Sequence, residues 1–451
     1  MKIRFVTLGC KLNFAESSAI GKALLQQGHT RAKQGEEADI CVINTCSVTD
    51  NADHKDRQAI NRIHRQNPNA IIIVTGCYAQ LQPEQIAQIE GVDYVLGQNE
   101  KYDITQLVDE IEQLRNSLED GVTPTGRSQG ELQFKGKVHV CAIREVEEFH
   151  GAYSKDDRTR CFLKVQDGCN YFCTYCTIPY ARGKSRNPKI ADVIVEAQKA
   201  LSEGAKELVL TGVNIGDFGR STGESFIDLL KALDCLEDAS LQFSGRPGGY
   251  SSEASDYRIR ISSCEPNLLT DEIIDFVATS KHFAPHFHIP LQSGSNEVLK
   301  VMKRRYTREL FEERVNHIKQ VMPHAFIGVD CMVGVRGETE ECFKDYVEFI
   351  KRLNVSQLHV FTYSERANTR MLELDVCIVP KAERQRRSKI LHQISEEKTK
   401  NFYAEQMGRE AVVLWESKKE GDLMAGFTEN YVKVYRPYDK EKVNTFESIK
   451  L

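Results

Sequence analysis

Apolar, strand-like runs alternate with polar amphipathic runs along the first hundred residues, and this alternation constrains the fold more than any other feature. The predicted strands are Ile3–Leu8, Ile40–Asn44 and Ala70–Thr75, and helices are predicted over Glu16–Gln27 and Asp56–Gln66. Strands and helices that alternate at this spacing form βαβ units, in which helices cover a parallel sheet. The sequence therefore predicts an α/β protein with a doubly wound amino-terminal domain.

The same alternation resumes at Phe162 and continues to Phe361. Roughly six strand–helix repeats predict a partial (β/α)6 barrel, open on one side, with its site at the carboxyl ends of the strands. The predicted strands are Leu163–Val165, Glu207–Leu210, Arg258–Ile261, His286–Ile289, Ala325–Val329 and Gln357–Phe361.

The tail changes character after about Gly408. Short apolar runs at Glu410–Trp415, Leu423–Ala425 and Tyr431–Tyr435 predict a small carboxyl-terminal β-barrel. Cations there could meet phosphates, and aromatic side chains could stack on bases or pack in the core. The residues concerned are Lys418, Lys419, Lys433, Arg436, Phe427, Tyr431 and Tyr435, and the basic runs Lys303–Arg308 and Arg384–Lys389 could extend the same track.

A chain of 451 residues exceeds what one hydrophobic core usually supports, so several domains are expected. A stretch around Gly121–Gly130 loses periodicity and reads as a connection, with a short β-hairpin predicted near Val138–Ala142. The stretch Ser244–Ser252 looks like an insertion. The predicted segments are residues 1–111 (α/β domain), 112–158 (linker), 159–400 (barrel) and 401–451 (β-barrel).

Composition narrows the classes further. No apolar run approaches a membrane span, and Met1–Cys10 does not resemble a signal peptide, so we expect a cytoplasmic protein without a membrane partner. The 14 cysteines are spread over a large chain, which favours thiolate ligands over disulfides. The net charge of −5 gives no global signal for nucleic acid, so such a site must be local.

Three cysteines, Cys169, Cys173 and Cys176, form a CxxxCxxC triplet. Three thiolates can hold three irons of a cubane cluster and leave the fourth iron open. A zinc knuckle is the alternative, but it normally uses four ligands in paired CxxC spacing, and no fourth cysteine or histidine follows at such spacing. The triplet therefore favours an iron–sulfur cluster.

Three other cysteines, Cys10, Cys46 and Cys77, each lie just beyond a predicted strand of the first domain. Because the carboxyl ends of parallel strands meet at one edge of the sheet, these thiols can converge on one point. Buried cysteines are often core fillers, which is our interpretation of Cys41. Three thiols in equivalent places favour a second metal site, whereas Cys264, Cys331, Cys342 and Cys377 belong to no spaced set and are expected to pack in the core.

With Tyr175 before its last cysteine, the triplet resembles the signature of the radical S-adenosylmethionine (SAM) enzymes. The motifs Thr7–Asn13, Asn44–Thr49 and Thr75–Gln80 resemble the three cysteine motifs of the methylthiotransferase amino-terminal domain, and the tail is similar to the RNA-binding TRAM domain. The resemblance covers nearly the whole chain. It implies two [4Fe-4S] clusters, one on each cysteine trio, with SAM at the triplet cluster and no side chain as acid or base.

The resemblance also implies a SAM site at the strand ends of the barrel. Thr211 and Gly212 would hold the methionine end, Ser262 and Glu265 the ribose, and the loop from Gly334 to Glu338 the adenine. The chain departs from the family pattern at Val335–Arg336, where an aromatic residue and a proline are usual, and at Cys264.

Two segments, Ala52–Gln58 and Phe162–Gly168, resemble the threonylcarbamoyladenosine branch of the family. This implies 2-methylthiolation of N6-threonylcarbamoyladenosine at position 37 in the anticodon stem-loop of tRNA, with electrons from a cellular donor. Lys55 and Arg57 are candidates to contact the threonyl carboxylate or a phosphate. The alternatives are an isopentenyladenosine tRNA or ribosomal-protein methylthiotransferase, a two-cluster electron-transfer protein and an RNA-binding protein with structural zinc; the oligomeric state is left open.

Overall fold

The computed structural model describes residues 1–33, 35–119, 136–154, 159–236 and 257–451. The stretches Gly121–Gly130 and Ser244–Ser252 lie outside the described residues. The chain divides into two compact units. Unit 1 comprises Met1–Glu148 and Thr177–Lys184, and unit 2 comprises Phe149–Cys176 and Ser185–Leu451.

Unit 1 contains a six-stranded parallel sheet with the strand order β2-β1-β3-β4-β5-β6. The strands are β1 Lys2–Thr7, β2 Thr30–Arg31, β3 Ile40–Thr45, β4 Ile71–Gly76, β5 Tyr94–Leu96 and β6 Lys137–His139. The helices are α1 Lys11–Gln26, α2 Asp50–Gln66, α3 Cys77–Leu81, α4 Pro83–Ala87, α5 Ile104–Glu119 and α6 Ile178–Arg182.

Strands β3 and β4 are buried along their whole length. Ile40 and Val42 pack in one hydrophobic cluster and Cys41 and Ile43 in another, because successive side chains point to opposite faces of a strand. A parallel sheet with a core on each face is the doubly wound arrangement that the sequence predicts. Cys41 is a core filler, as predicted.

Several elements of unit 1 differ from the sequence prediction. Helix α1 begins at Lys11, five residues before the predicted start. Helix α2 begins at Asp50, six residues before the predicted start, and the Thr49 side chain caps it by accepting a hydrogen bond from the Ala52 N–H. Residues 137–139 form a parallel strand against β5 instead of a hairpin. A three-residue strand is too short to show periodicity, so its partner is set by the tertiary fold. The predicted domain boundaries stay predictions.

Unit 2 contains six parallel strands, β8 to β13, as predicted for a partial (β/α)6 barrel. Strands β8–β10 pair in one sheet and β11–β13 in another, with isolated bridges between β10 and β11, while β7 runs antiparallel to β8. The strands are β7 Ala152–Tyr153, β8 Arg160–Lys164, β9 Glu207–Thr211, β10 Arg258–Ile261, β11 His286–Gln292, β12 Phe326–Val333 and β13 Gln357–Thr362.

The helices described in unit 2 alternate with these strands and cover the barrel. A large buried cluster of side chains from β8 to β13 and most of these helices forms the main core, and Val298 and Cys342 pack in a smaller cluster. The helices are α7 Ile190–Ser202, α8 Phe226–Asp234, α9 Asp271–Thr279, α10 Asn296–Val301, α11 Arg308–Val321, α12 Glu340–Arg352 and α13 Lys381–Gln406.

The tail of unit 2 forms an antiparallel sheet in the order β16-β15-β14-β17, consistent with the TRAM-like module that the sequence predicts. Its strands are β14 Glu410–Glu420, β15 Leu423–Phe427, β16 Lys433–Pro437 and β17 Phe446–Lys450. The sequence analysis missed β17, whose short sequence FESIK has only two apolar residues and whose paired residues in β14 lie 32 to 40 positions earlier in the chain.

The tail sheet is held by hydrogen bonds and aromatic contacts to residues near the amino ends of the barrel strands. Arg258 donates to the Val412 carbonyl at 3.1 Å, and Arg260 donates to the Glu429 carbonyl at 3.1 Å. Tyr431 packs against Phe326 with 5.5 Å between the ring centroids. Of the aromatic residues considered for stacking on RNA, Phe427 and Tyr431 therefore pack within unit 2, whereas Tyr435 is exposed.

The basic run Arg384–Lys389, considered above as part of an RNA track, is largely engaged in ion pairs. Arg387 pairs with Glu338 at 2.6 Å, and Arg386 pairs with Glu340 at 2.7 Å. Arg384 pairs with Glu365 at 3.1 Å. These contacts give the three arginines a structural role in unit 2.

Candidate functional site

In unit 1, Cys10, Cys46 and Cys77 all lie at the carboxyl edge of the sheet. Cys46 follows β3 directly, Cys77 follows β4 directly, and Cys10 comes three residues after β1; β3 lies between β1 and β4. The pKa of Cys46 is raised to about 12, chiefly by burial and also by the nearby Cys77 and Cys10 thiols. The three cysteines that the sequence singled out therefore lie at the same edge of the sheet, and their role as ligands stays a prediction.

Glycine allows this close approach. Gly9, at φ +99°, lies so close to Cys46 that a Cβ on it would be 2.9 Å from the Cys46 Sγ. Gly76, at φ +101°, would place a Cβ 2.3 Å from the Thr45 carbonyl oxygen. Both positions require positive φ and the absence of a side chain. The glycines immediately before Cys10 and Cys77 therefore let these backbone segments pass close to Cys46 and Thr45.

The thiols of unit 1 fit a metal–sulfur group in their chemistry. All three are free of disulfide bonds, and they offer soft sulfur ligands without a carboxylate among them. Burial raises the pKa of Cys77 as well as that of Cys46, so these two thiols ionise more readily beside a cationic metal. The two buried thiols and the exposed thiol of Cys10 offer three sulfur ligands, as an iron–sulfur cluster held by three cysteines requires.

The segment after Cys46 also meets the third cysteine motif. The Cys46 N–H donates to Asp56 at 2.9 Å, and burial raises the pKa of Asp56 to about 7. Arg57 donates to the Tyr78 hydroxyl at 2.8 Å, and Tyr78 follows Cys77 directly. Lys55 is exposed. Of the two proposed substrate contacts, Arg57 is therefore already engaged and Lys55 faces solvent.

In unit 2, Cys169, Cys173 and Cys176 lie in one loop after β8. The Cys176 N–H donates to the Cys173 carbonyl at 3.0 Å, and the Tyr171 N–H donates to the Cys169 Sγ at 3.4 Å. Burial raises the pKa of Cys169 to about 12 and also raises that of Cys173. Hydrogen bonds thus order the loop, with the Cys173 thiol buried and the Cys169 and Cys176 thiols half-buried.

Arg304 is a site residue that the sequence analysis missed. Its guanidinium donates to the Cys173 Sγ at 3.2 Å and forms a buried ion pair with Glu265. The basic run Lys303–Arg308 suggested a solvated or RNA-facing surface, but Met302 and Tyr306 on either side of Arg304 are buried. Arg304 points inward because the fold packs Cys173 and Glu265 beside it, which the basic run by itself does not indicate.

The predicted SAM residues lie at the carboxyl ends of β9 and β10, as expected for such a barrel. Thr211 ends β9 and its hydroxyl donates to the Val209 carbonyl at 3.0 Å. Ser262 directly follows β10 and is buried. Glu265 is held by Arg304 beside Cys173. Their individual contacts with SAM stay predictions.

Gln166 shapes the turn that begins at Gly212. Its side-chain oxygen accepts hydrogen bonds from the Val213 N–H at 2.9 Å and the Asn214 N–H at 2.8 Å. A Cβ on Gly212 would lie 2.7 Å from the Ile215 side chain and 2.9 Å from that same oxygen. The turn is therefore built on glycine at this position.

Gln292, at the carboxyl end of β11, adds a second indication of a ligand. Its side-chain oxygen is buried and has no hydrogen-bond partner within the described part of the chain, and its backbone has φ +64°. Buried polar atoms are nearly always satisfied, and strained residues cluster at functional sites. This unsatisfied acceptor at a strand end of the barrel fits a ligand that donates a hydrogen bond to it.

The loop from Gly334 to Glu338 is braced from within unit 2. The Gly334 N–H donates to a Glu338 carboxylate oxygen at 3.1 Å, and that oxygen also pairs with Arg387 at 2.6 Å. Gly334 has φ +75°, and a Cβ there would lie 2.3 Å from the Arg384 side chain. Glu338 thus holds the shape of the loop, and its contact with adenine stays a prediction.

The four cysteines that were expected to pack in the core fall into two groups. Cys264, Cys331 and Cys342 are buried, as predicted for packing residues. The same prediction is wrong for Cys377, which is exposed. Cys377 lies in a segment without regular secondary structure between β13 and α13, where no periodic pattern reports burial.

Gly212→Ala is expected to weaken SAM binding by at least about tenfold, because the new methyl group displaces Gln166 and with it the two backbone donors of the turn. Equilibrium dialysis of the reconstituted protein against labelled SAM measures the effect. Gly151→Ala is the matched control, since its Cβ would meet Glu196 only at an ordinary 3.8 Å. Equal affinities of the Gly212 variant and the control would contradict the assigned role of this turn.

None of the helices in the described ranges is both long and apolar enough to cross a membrane.

Comparisons with known proteins agree with this architecture. Residues 2–97 match the family described as "Uncharacterized protein family UPF0004", and residues 163–350 match the Radical SAM superfamily. The structure of the radical S-adenosylmethionine methyltransferase TsrM from Kitasatospora setae superposes with a TM-score of 0.51 over 80% of this chain and 72% of that one. At 14% identity this likeness concerns the fold. Members of this superfamily use SAM and a [4Fe-4S] cluster.

Curated relatives match along nearly the whole chain. The threonylcarbamoyladenosine tRNA methylthiotransferase MtaB of Bacillus subtilis is 36% identical over 100% of this chain and 93% of its own length. The protein of the same name from Aquifex aeolicus is 36% identical over 98% of both chains. The tRNA-2-methylthio-N(6)-dimethylallyladenosine synthase of Pelotomaculum thermopropionicum is 30% identical over 93% of this chain and 87% of its own. The chain therefore belongs to the radical SAM tRNA methylthiotransferase family.

Proposed function

We propose that this protein converts N6-threonylcarbamoyladenosine at position 37 of tRNA to its 2-methylthio derivative. The observation that carries the proposal is the pair of cysteine trios, one at the strand ends of unit 1 and one in the loop after β8 of unit 2. Three relatives support the threonylcarbamoyl substrate, since their name refers to it. The partners are then the anticodon stem-loop of tRNA and a cellular electron donor, and cytoplasmic location follows as part of the proposal.

We propose a [4Fe-4S] cluster on each trio. Cys169, Cys173 and Cys176 would hold the cluster that binds SAM, and Cys10, Cys46 and Cys77 would hold an auxiliary one. SAM bound at the first cluster would supply a carbon radical that removes the hydrogen from C2 of adenine. The auxiliary cluster would supply the sulfur that replaces this hydrogen. A C2–H bond is beyond the reach of side-chain acid–base catalysis, which contributes only about 10²–10⁴-fold.

The side chains of this chain bind and orient. Arg304 donates to Cys173 and fixes Glu265, so it stabilises a thiolate and positions a carboxylate at the same time. Gln166 holds the Gly212 turn, and the Tyr306 hydroxyl donates to the Pro290 carbonyl at 2.6 Å just before Gln292. The protein thereby supplies geometry and charge, and the cofactors supply the difficult chemistry.

Mass spectrometry of tRNA nucleosides tests the proposal. Cells that lack the protein are expected to lose 2-methylthio-N6-threonylcarbamoyladenosine and to regain it when the gene is returned. The dimethylallyladenosine relatives support a second candidate, in which the isopentenyladenosine product disappears instead. Loss of neither nucleoside, with iron bound normally, would favour the ribosomal-protein or electron-transfer alternatives.

Substrate recognition can be tested at Lys55. This exposed cation follows the second cysteine motif, whereas its neighbour Arg57 is bonded to Tyr78. Lys55→Met is expected to lower kcat/KM about tenfold on tRNA that carries the threonylcarbamoyl group, because one charge-assisted hydrogen bond to the carboxylate is lost. On tRNA with unmodified adenosine the residual turnover should be unchanged. Equal losses on both tRNAs would point to a phosphate contact.

A further inference from the structure

The loop of the triplet cysteines lies directly against the segment Lys300–Arg305, which is called the basic edge below. The Thr174 N–H donates to the Met302 carbonyl at 3.2 Å, and Arg304 donates to the Cys173 Sγ at 3.2 Å. The loop and the basic edge both belong to unit 2. The basic edge is therefore part of the immediate surroundings of these cysteines.

The basic edge presents positive charge to solvent on both sides of Arg304. Its exposed cations are Lys300, Lys303 and Arg305. Within the described ranges of the chain, none of these three forms an ion pair. The two acids that flank the edge are engaged, since Glu297 accepts a hydrogen bond from the Cys342 Sγ at 3.3 Å and Glu309 pairs with Arg308 at 3.1 Å. The exposed charge of this stretch is therefore mainly positive.

The cysteine loop adds an exposed aromatic ring to these cations. Phe172, one residue before Cys173, is 40% exposed and has φ +50°. Such a backbone is uncommon for a bulky residue, and strained residues cluster at functional sites. Arg305 joins the loop to the basic edge, because its guanidinium lies 4.1 Å from the centre of the Tyr171 ring and donates to the Asn170 carbonyl at 2.9 Å.

An exposed ring among exposed cations suits a transient protein partner of opposite charge. Complexes that transfer electrons have small interfaces, and complementary charge steers the two proteins together. Phosphates of RNA would also bind these cations, but they gain nothing from closeness to a cysteine ligand. An electron carrier must approach such a ligand, because electron transfer slows steeply with distance. The contact between Arg304 and Cys173 therefore favours a carrier.

We propose that the basic edge and Phe172 form the docking surface for an acidic one-electron carrier protein, which reduces the cluster on Cys169, Cys173 and Cys176. In this step the carrier loses one electron and the oxidised cluster gains it, and no covalent bond forms or breaks. The inference rests on the proposed function, because it presupposes that this cluster must be reduced before SAM is cleaved.

Binding is measured on the reconstituted full-length protein by isothermal titration calorimetry with oxidised flavodoxin, an acidic flavoprotein. The double variant Lys300→Glu/Lys303→Glu is expected to raise Kd at least about tenfold at low ionic strength, because two attractive charges become repulsive. Added salt should weaken binding to the wild type. The matched control is Lys199→Glu/Lys281→Glu, which reverses two exposed lysines of unit 2, one near the end of α7 and one before β11, and should leave Kd unchanged.

Electron delivery is measured as the rate at which 5′-deoxyadenosine forms from SAM. With reduced flavodoxin below its Kd, this rate should fall about tenfold in the basic-edge variant. With photoreduced 5-deazariboflavin, a small uncharged reductant that needs no docking surface, the variant and the wild type should be equal. Iron and sulfide analysis checks that both carry the same clusters. If Lys303→Glu lowers iron content, Lys300→Glu alone and the salt dependence of the wild type decide.

The outcomes separate the inference from the proposed function. A higher Kd together with a loss of rate confined to flavodoxin supports the docking surface. An unchanged Kd overturns it, as does a variant whose only defect is a higher KM for tRNA with 5-deazariboflavin, which would make the basic edge an RNA contact. In both of these cases the proposed function stands. If the wild type forms no 5′-deoxyadenosine with either reductant, the proposed function fails and the inference fails with it.

Discussion

Cys46→Ala is expected to abolish formation of the methylthio product while leaving cleavage of SAM by the triplet site largely intact. Cys46 is the central thiol of the unit 1 trio, since it directly follows β3, which lies between the two strands that precede Cys10 and Cys77. Two remaining thiols hold a cubane poorly, so total iron should fall to about half. Iron and sulfide analysis, release of 5′-deoxyadenosine and nucleoside mass spectrometry measure the three quantities.

Cys41→Ala is the matched control for this variant. Cys41 lies on β3, the strand directly before Cys46. It is fully buried and packs in the hydrophobic core with Ile43. Its replacement should reduce stability by about 1 kcal/mol and leave iron content and product unchanged. Normal product from Cys46→Ala with full iron content would remove the trio of unit 1 from the reaction.

Glu207→Gln is expected to produce the largest loss of stability, about 3–5 kcal/mol at neutral pH. Glu207 is fully buried at the start of β9 and pairs with Arg258 at 2.6 Å and Arg260 at 3.1 Å. Replacing the carboxylate leaves two buried guanidinium groups without their counter-charge, and these same arginines bind the carbonyls of the tail sheet. Urea unfolding measures the loss of stability. The fluorescence of the single tryptophan, Trp415, reports on the tail sheet that these arginines bind.

The effect of Glu207 depends on pH in a defined direction. Burial by itself would raise the pKa of Glu207, but Arg260 and Arg258 outweigh it and hold the pKa well below its ordinary value of 4.5. A carboxylate with a lowered folded-state pKa stabilises the protein fully above its unfolded pKa, and this contribution is lost as the pH falls below it. The difference between wild type and Glu207→Gln should therefore be constant above about pH 5.5 and shrink on further acidification.

Glu272→Gln provides the control for that experiment. Glu272 forms an exposed pair with Lys231 at 2.9 Å, and such pairs contribute about 0–1 kcal/mol. Its unfolding midpoint should stay near that of wild type at every pH. A Glu207 variant that unfolds like this control would mean that the arginines do not need the carboxylate as counter-charge.

The sequence alone indicated the fold class and singled out six cysteines as candidate ligands, for definite reasons. Periodicity reports burial wherever a strand or helix is long enough, so the strand Arg258–Ile261 was predicted with its observed bounds. The three-residue β6 and the polar β17 carry too few apolar positions to be seen this way. Cysteine spacing is informative because few other patterns place thiols at successive strand ends.

Only the tertiary structure decided which charged residues face inward. In the sequence, Arg304 belongs to a basic run, Arg182 follows the triplet without a motif, and Glu207 is one more acid at the start of a strand. In the fold, Arg304 reaches Cys173, Arg182 reaches Asn13 beside Cys10, and Glu207 joins two arginines. The physical reason is that a charge is solvated or buried according to what packs over it, and that depends on segments far apart in the chain.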